Sequence, residues 1–163
     1  MNLLLRNLFK MQIICTMKEE QLKHLEFIQG VITRMGSNSF YIKGWTITLV
    51  AALLALYSSR PNVAYLFVGL VPAVVFWFLD SYYLWQERRF RGLYKDAAGL
   101  TEYQVSVFSM SIERYTAALD KEYSFVRLLW SKTIVWFYGV IVVFLLLGSF
   151  IVLYWNECYG VAV

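Results

Sequence analysis

Asp80 stands directly after nineteen residues, Pro61 to Leu79, that carry no charge. An ionisable group beside so apolar a run is costly, by about 3 kcal/mol at a bilayer centre and less near its boundary, so it has a partner or lines water. Two chemistries fit that position. A ring of such carboxylates at the inner mouth of an oligomeric pore would attract cations. Alternatively the carboxylate is held in a structural ion pair with Arg34, Lys43 or Lys132, each placed near the end of another charge-free run. The boundary position makes the ion pair the plainer of the two. Arg88, Arg89 and Arg91 form a second charged group, which reads as a lipid-headgroup anchor or as a collar for a partner.

Little else in the chain could do chemistry. There is no glycine-rich phosphate loop, no nucleophile elbow and no HExxH pair. One His and two Cys, Cys15 and Cys158, cannot build an ordinary four-ligand metal site. His24 falls on the polar side of its segment and reads as a solvated histidine rather than a proton switch. The residues therefore point to no enzyme, no cofactor and no metal.

The elements that must position Asp80 are three charge-free runs. They are Gly44–Ser59 with sixteen residues, Pro61–Leu79 with nineteen, and Thr133–Asn156 with twenty-four. A helix rises about 1.5 Å per residue and a hydrocarbon core is about 30 Å thick, so roughly 20 apolar residues span it. The third run suffices alone; Phe40 to Ile42 and Ser81 to Trp85 can extend the other two. A chain of 163 residues that is 60% hydrophobic fits one polytopic membrane unit.

The cations set an orientation. Six of the fifteen Lys and Arg lie in residues 1–43 and eight more lie between Arg88 and Lys132, which leaves Arg60 alone in the turn between the first two runs. The positive-inside rule then puts the N-terminus and the segment after the second run in the cytoplasm, and the C-terminus outside. Trp45, Trp85, Trp130 and Trp136 near one boundary and Tyr57, Tyr65, Tyr154 and Trp155 near the other agree with that. Cys15 and Cys158 fall on opposite sides and cannot pair within a chain, although Cys158 could bridge two chains. The net charge of +4 is what topology and anionic lipids demand, and no nucleic-acid contact follows from it.

The expected fold class is an all-α membrane protein: three transmembrane helices, cytoplasmic amphipathic helices and a small irregular or β-like segment. Residues 1–16 are a possible interfacial extension, with translation from Met17 as the alternative. Residues 17–38 form a cytoplasmic amphipathic helix, with Leu22, Leu25, Ile28, Val31, Ile32 and Met35 at helical spacing. Thr16 and Glu19 fit a capping box at its start, and Gly36, Ser37 and Asn38 mark a break at its end. The spans follow as 39–59, 61–86 and 133–156, with a cytoplasmic collar at 87–132 and an outer tail at 157–163.

Ala51 and Ala55, four residues apart, offer a close-packing face toward span two. Gly69 is a second packing position, and Pro72 should kink span two because it cannot donate to the Val68 carbonyl. Glu87 and Arg91 can pair on a helix continuing toward Gly99. The alternation of Tyr103, Val105 and Val107 is strand-like until it slips at Phe108. A helix is expected from Ala117 to Trp130. The cytoplasmic portion is too small for an independent core and needs neighbours, most simply copies of itself.

Arg34-Met-Gly-Ser-Asn-Ser-Phe-Tyr-Ile-Lys-Gly-Trp45, Phe76-Trp-Phe-Leu-Asp-Ser-Tyr-Tyr-Leu-Trp-Gln-Glu-Arg88 and Ser131-Lys-Thr-Ile-Val-Trp-Phe-Tyr138 resemble blocks of the RipA family of octameric bacterial membrane proteins. The resemblance covers roughly residues 20–155. It implies a ring of eight chains in the inner membrane and transfers no catalytic residue. A more distant likeness is to the membrane accessory protein of a CRISPR system, which implies a link to phage defence, as the family implies one to host adaptation or stress. The expected function is a pore-like or channel-like homo-oligomeric ring. Its alternative is a non-conducting scaffold that recruits a cytoplasmic protein partner, and lipids contact either one.

Overall fold

The computed structural model describes residues 2–59 and 61–159, with side chains described for 18–59 and 61–158. The chain is helical: α1 (Asn2–Ser59), α2 (Ala64–Ala97), a 3-10 turn (Lys121–Tyr123), α3 (Phe125–Leu129) and α4 (Lys132–Tyr159). Among the described residues, three helices are long and apolar enough to cross a membrane, at Lys18–Ser59, Ala64–Ala97 and Lys132–Cys158. No strand occurs among the described residues. The interfacial reading of residues 1–16, together with Cys15, Arg60 and the end of the tail, rests on residues or side chains outside those described.

Two boundaries expected from local propensity are absent. The helix does not begin at Thr16, because the backbone is already helical from Asn2, and Glu19 pairs with Lys23 at 2.9 Å instead. Nor does it break at Gly36–Asn38. A glycine inside a helix costs about 1 kcal/mol, and here α2 lies alongside, with Glu87 Oε2 3.8 Å from where a Gly36 Cβ would sit. Tertiary packing overrides the local preference. The segment read as 17–38 and the first span are one rod, and 58 residues at helical rise extend about 87 Å, far more than a bilayer needs.

The turn between α1 and α2 is set by Pro61, which has no N–H to continue a helix. Asn62 Oδ1 accepts from the Ala64 N–H at 2.9 Å, and Asn62 O accepts from the Tyr65 N–H at 3.0 Å. Those bonds serve donors that the helix start leaves without partners. α2 then runs antiparallel to α1, through Pro72, to a Schellman stop. Leu100 N–H donates to Lys95 O and Gly99 N–H to Asp96 O, both at 3.0 Å. Gly99 supplies the positive φ of 71° that this motif places most easily on glycine.

In the membrane portion, Val50 of α1, Leu66 of α2 and Leu145 of α4 form a buried cluster, with Leu54, Tyr57 and Ile141 packed on it. Gly69 is buried between the helices, with Leu145 Cδ1 3.3 Å from a would-be Cβ. Ala51 and Ala55 do not face α2; they are exposed. The contact ridge is the larger Val50, Leu54 and Tyr57, and the alanines lie on the other side of the helix.

Outside the membrane portion the collar is built on the α1–α2 rod. Ile28, Ile32, Leu93, Ala97 and Tyr115 form its buried core. Leu22, expected on the apolar face, is 61% exposed, while His24 takes a core-facing position and is 2% exposed. Its Nε2 lies 2.9 Å from Ser109 O, so the segment that follows Val107 covers it. That segment is neither hairpin nor strand. Phe108 has a φ of 63°, and the strand-like alternation ends at that residue. The helix expected at 117–130 reduces to the 3-10 turn and α3, pinned to α2 by tryptophans. Trp85 Nε1 donates to Tyr123 O at 2.7 Å and Trp77 Nε1 to Leu129 O at 3.0 Å.

Gly92 is where α2 and the collar segment come closest. A Cβ there would lie 2.6 Å from both Tyr115 Cδ1 and Tyr123 Oη. Gly92→Ala is expected to destabilise the collar by about 1–3 kcal/mol through overpacking, read as a lower thermal midpoint of the detergent-solubilised protein with the membrane helices still folded by circular dichroism. Burial pushes the Tyr115 phenol above its ordinary value, and its hydrogen bond to Asp96 adds to the shift. Stability from the neutral phenol is complete below the unfolded pKa of about 10 and declines as pH rises beyond it. Thermal midpoints should therefore fall as pH rises above about 10, and Tyr115→Phe should flatten that fall.

Candidate functional site

Four buried polar side chains of the membrane helices converge on one node, while Ser149 lies apart on α4 and donates to Leu145 O. Asp80, Thr46 and Ser81 are each 0% exposed, as is Tyr138. Their convergence follows from chain geometry. Lys43 precedes the end of α1 at Ser59 by sixteen residues, and Asp80 follows the start of α2 at Ala64 by sixteen. Two antiparallel helices joined by a tight turn therefore bring Lys43 and Asp80 to the same level, about 24 Å from that turn.

At that level, Lys43 Nζ lies 2.5 Å from Asp80 Oδ2. Ser39, one helical turn from Lys43, donates its hydroxyl to Asp80 Oδ1, and Lys43 Nζ donates to Ser39 Oγ at 2.9 Å. The carboxylate is thus engaged on both oxygens by α1. Thr46 and Ser81 satisfy their own hydroxyls on the helix backbone, Thr46 to Ile42 O at 2.8 Å and Ser81 to Trp77 O at 2.7 Å. Tyr138 reaches in from α4, its hydroxyl buried beside Asp80 and Thr46. Its ring stacks on Trp77 at 6.2 Å and 8°, which ties α4 to α2 beside the node.

Of the three cations considered for Asp80, the structure brings Lys43 to it. Arg34 is exposed and lies in a collar groove with His24, Phe27 and Phe108. Lys132 is exposed at the start of α4. The Lys43 side chain keeps 23% of its surface open, so its ammonium sits at the edge of the apolar zone while the carboxylate is wholly enclosed. The arrangement can neutralise charge and join helices. The described residues hold no cluster that could bind a metal ion.

Each of the three collar arginines has a partner within the chain. Arg89 donates to Ile112 O at 2.8 Å and to Tyr115 O at 3.1 Å, with its guanidinium 4.5 Å over the Trp85 ring. Arg91 pairs with Glu87 at 2.6 Å, and Arg88 meets Glu122 at 3.8 Å. A further carboxylate, absent from the sequence reading, organises the same region. Asp96 is 8% exposed and accepts from Thr101 Oγ1 at 2.6 Å and Tyr115 Oη at 2.8 Å, with Arg114 3.5 Å away. Asp96 lies sixteen residues beyond Asp80 on the same helix, a spacing that holds no local motif. Ser39 and Tyr138 were also invisible, although Ser39 sits four residues before Lys43 and so shares its face.

Comparison with protein-family models, with curated proteins and with solved structures finds no match.

Breaking the pair from one side leaves a buried charge without its partner, a loss on the order of 3 kcal/mol. Lys43→Met is expected to destabilise the protein by about that amount, and Asp80→Asn in the Lys43→Met background should recover much of it. A double-mutant cycle on denaturation midpoints in mild detergent measures the coupling. Strictly additive losses would mean that the two groups do not act as a pair.

Proposed function

We propose that this chain is a non-enzymatic, homo-oligomeric protein of the bacterial inner membrane. In this reading the N-terminus and collar are cytoplasmic, the C-terminus is outside, and the collars assemble into a membrane scaffold. The observation that carries it is apolar surface where lipid cannot reach. Phe27 is 60% exposed and Phe108 50% exposed, and they line a groove of about 500 Å³ with Val31 and Met110. Phe27 precedes Lys43 by sixteen residues on the continuous α1, so it stands about 24 Å beyond the ion-pair level. Exposed apolar residues along a span are solvated by acyl chains; those on the collar are covered only by protein. The likeness to the RipA family supports a ring, with eight copies as the number it suggests.

The scaffold is preferred to the channel-like form of the same ring because of Asp80. A carboxylate enclosed and bound by Lys43 and Ser39 is spent on joining helices, and a pore-lining acid needs an open face to water. The conducting ring remains the second reading, supported by the same collar surface. A cytoplasmic protein seated in the same aromatic groove is the alternative to a second copy of the collar. Links to host adaptation, stress or phage defence rest on the resemblances alone.

Native mass spectrometry in nanodiscs should give a single multiple of the 19.1 kDa protomer. A uniform population of single chains overturns the proposal. In liposomes the wild type should pass no more ion current than empty vesicles. A current that Asp80→Asn alters would instead install the channel.

A further inference from the structure

The three spans do not close on one another. α1 and α4 both pack on α2, and their backbones do not approach each other within contact distance. The result is a cleft of about 860 Å³ between α1 and α4, opening toward the bilayer. Its lining is graded. Lys43 and Lys132 stand at one end, and Ile47, Trp136, Val140 and Ile141 continue from them along the helices. Val140 lies eight residues beyond Lys132, about 12 Å deeper. We propose that this cleft is a binding site for one anionic phospholipid, its phosphate on the Lys132 and Lys43 ammoniums and an acyl chain in the apolar trough.

The charge distribution selects that occupant. Lys132 is exposed and makes no ion pair among the described residues, whereas Lys43 is shared with Asp80. An anion at this depth is therefore wanted and must come from outside the chain. A second copy cannot supply it. Copies in one membrane sit at one depth, and the segments at the lysine level, 39–46, 77–84 and 129–136, contain a single acid. That acid is Asp80, which is 0% exposed. Water cannot fill the apolar length, and a soluble anion has no use for it. Basic pockets between membrane helices at the cytoplasmic boundary hold anionic headgroups by this combination. The inference rests on the helices crossing a bilayer, and it is independent of the assembly proposed above.

The test is native mass spectrometry of the detergent-purified full chain titrated with dioleoyl phosphatidylglycerol or dioleoyl phosphatidylcholine, alongside thermal midpoints. The wild type should retain phosphatidylglycerol preferentially and be stabilised by it. Lys132→Gln should weaken that retention about fivefold, as expected for one cation near a headgroup, without changing phosphatidylcholine retention. Lys132→Arg should restore it, and Lys95→Gln on the collar should leave it intact. Excess inorganic phosphate should not displace the adducts. Equal retention of the two lipids, equal losses from Lys132→Gln and Lys95→Gln, or displacement by phosphate each overturns the site. So does efficient disulfide cross-linking of Val140→Cys between copies, which would place a neighbouring helix in the cleft.

Discussion

A carboxylate enclosed at the edge of the apolar zone must meet a cation, and this requirement fixes the register of the whole α1–α2 hairpin. Lys43 and Asp80 are equidistant from the turn. Sliding one helix by a single residue would move a side chain about 1.5 Å along the axis and turn it by about 100°, which would strand Asp80 among leucines and aromatics. The same register aligns Gly36 with Glu87 and carries Ile28 and Ile32 to Leu93 and Ala97. Hydrophobic contacts along two apolar helices tolerate slippage far better than a buried charge does. The ion pair thus contributes specificity out of proportion to any net stability it adds.

The exposed apolar surface divides into two kinds, and the division follows the distance from that pair. On the turn side of Lys43 and Asp80, residues such as Val71, Val75, Phe144 and Phe150 are open because their solvent is hydrocarbon. On the collar side, Leu22, Phe27, Leu100 and Phe108 are open beyond the level of the ion pair. The collar core is small: Ile28, Ile32, Leu93, Ala97 and Tyr115, supported by polar ties from Arg89, Asp96 and two tryptophan N–H groups. Such ties fix the path of the 112–130 segment without burying much area. They leave Phe27 and Phe108 exposed on the collar.

The sequence carried the spans, because length and absence of charge alone determine what a bilayer accepts. It also narrowed the partners of Asp80 to three cations, and the geometry of a tight antiparallel hairpin selects Lys43 among them. What it concealed came from contacts distant along the chain. His24 has a helical-wheel position that looks solvated, yet Ser109 covers it from eighty-five residues away. Gly36 to Asn38 read as a break because their propensities are weak, yet α2 packs over them. Ala51 and Ala55 looked like a packing face by size, while the contact was made by bulkier neighbours. The slip of alternation at Phe108 was visible, but its meaning, a left-handed residue that ends an extended path, depends on the tertiary position of the segment.

Continuity across the boundary has a mechanical consequence. α1 and α2 pass from collar to membrane without an intervening loop, and their mutual packing extends on both sides of the Lys43–Asp80 level. A flexible joint at Gly36–Asn38 would have insulated the two halves. Instead, a displacement imposed on the collar tilts both rods, and α4 follows through Tyr138 on Trp77. Coupling of this kind needs no conformational switch within the chain, since rigid elements carry it. α2 is the central element: it packs against both α1 and α4, holds Asp80 and Asp96, and supplies the tryptophans that pin the collar segment. α4 is held to the rods by its contacts on α2 and not through α1, whose backbone it does not approach.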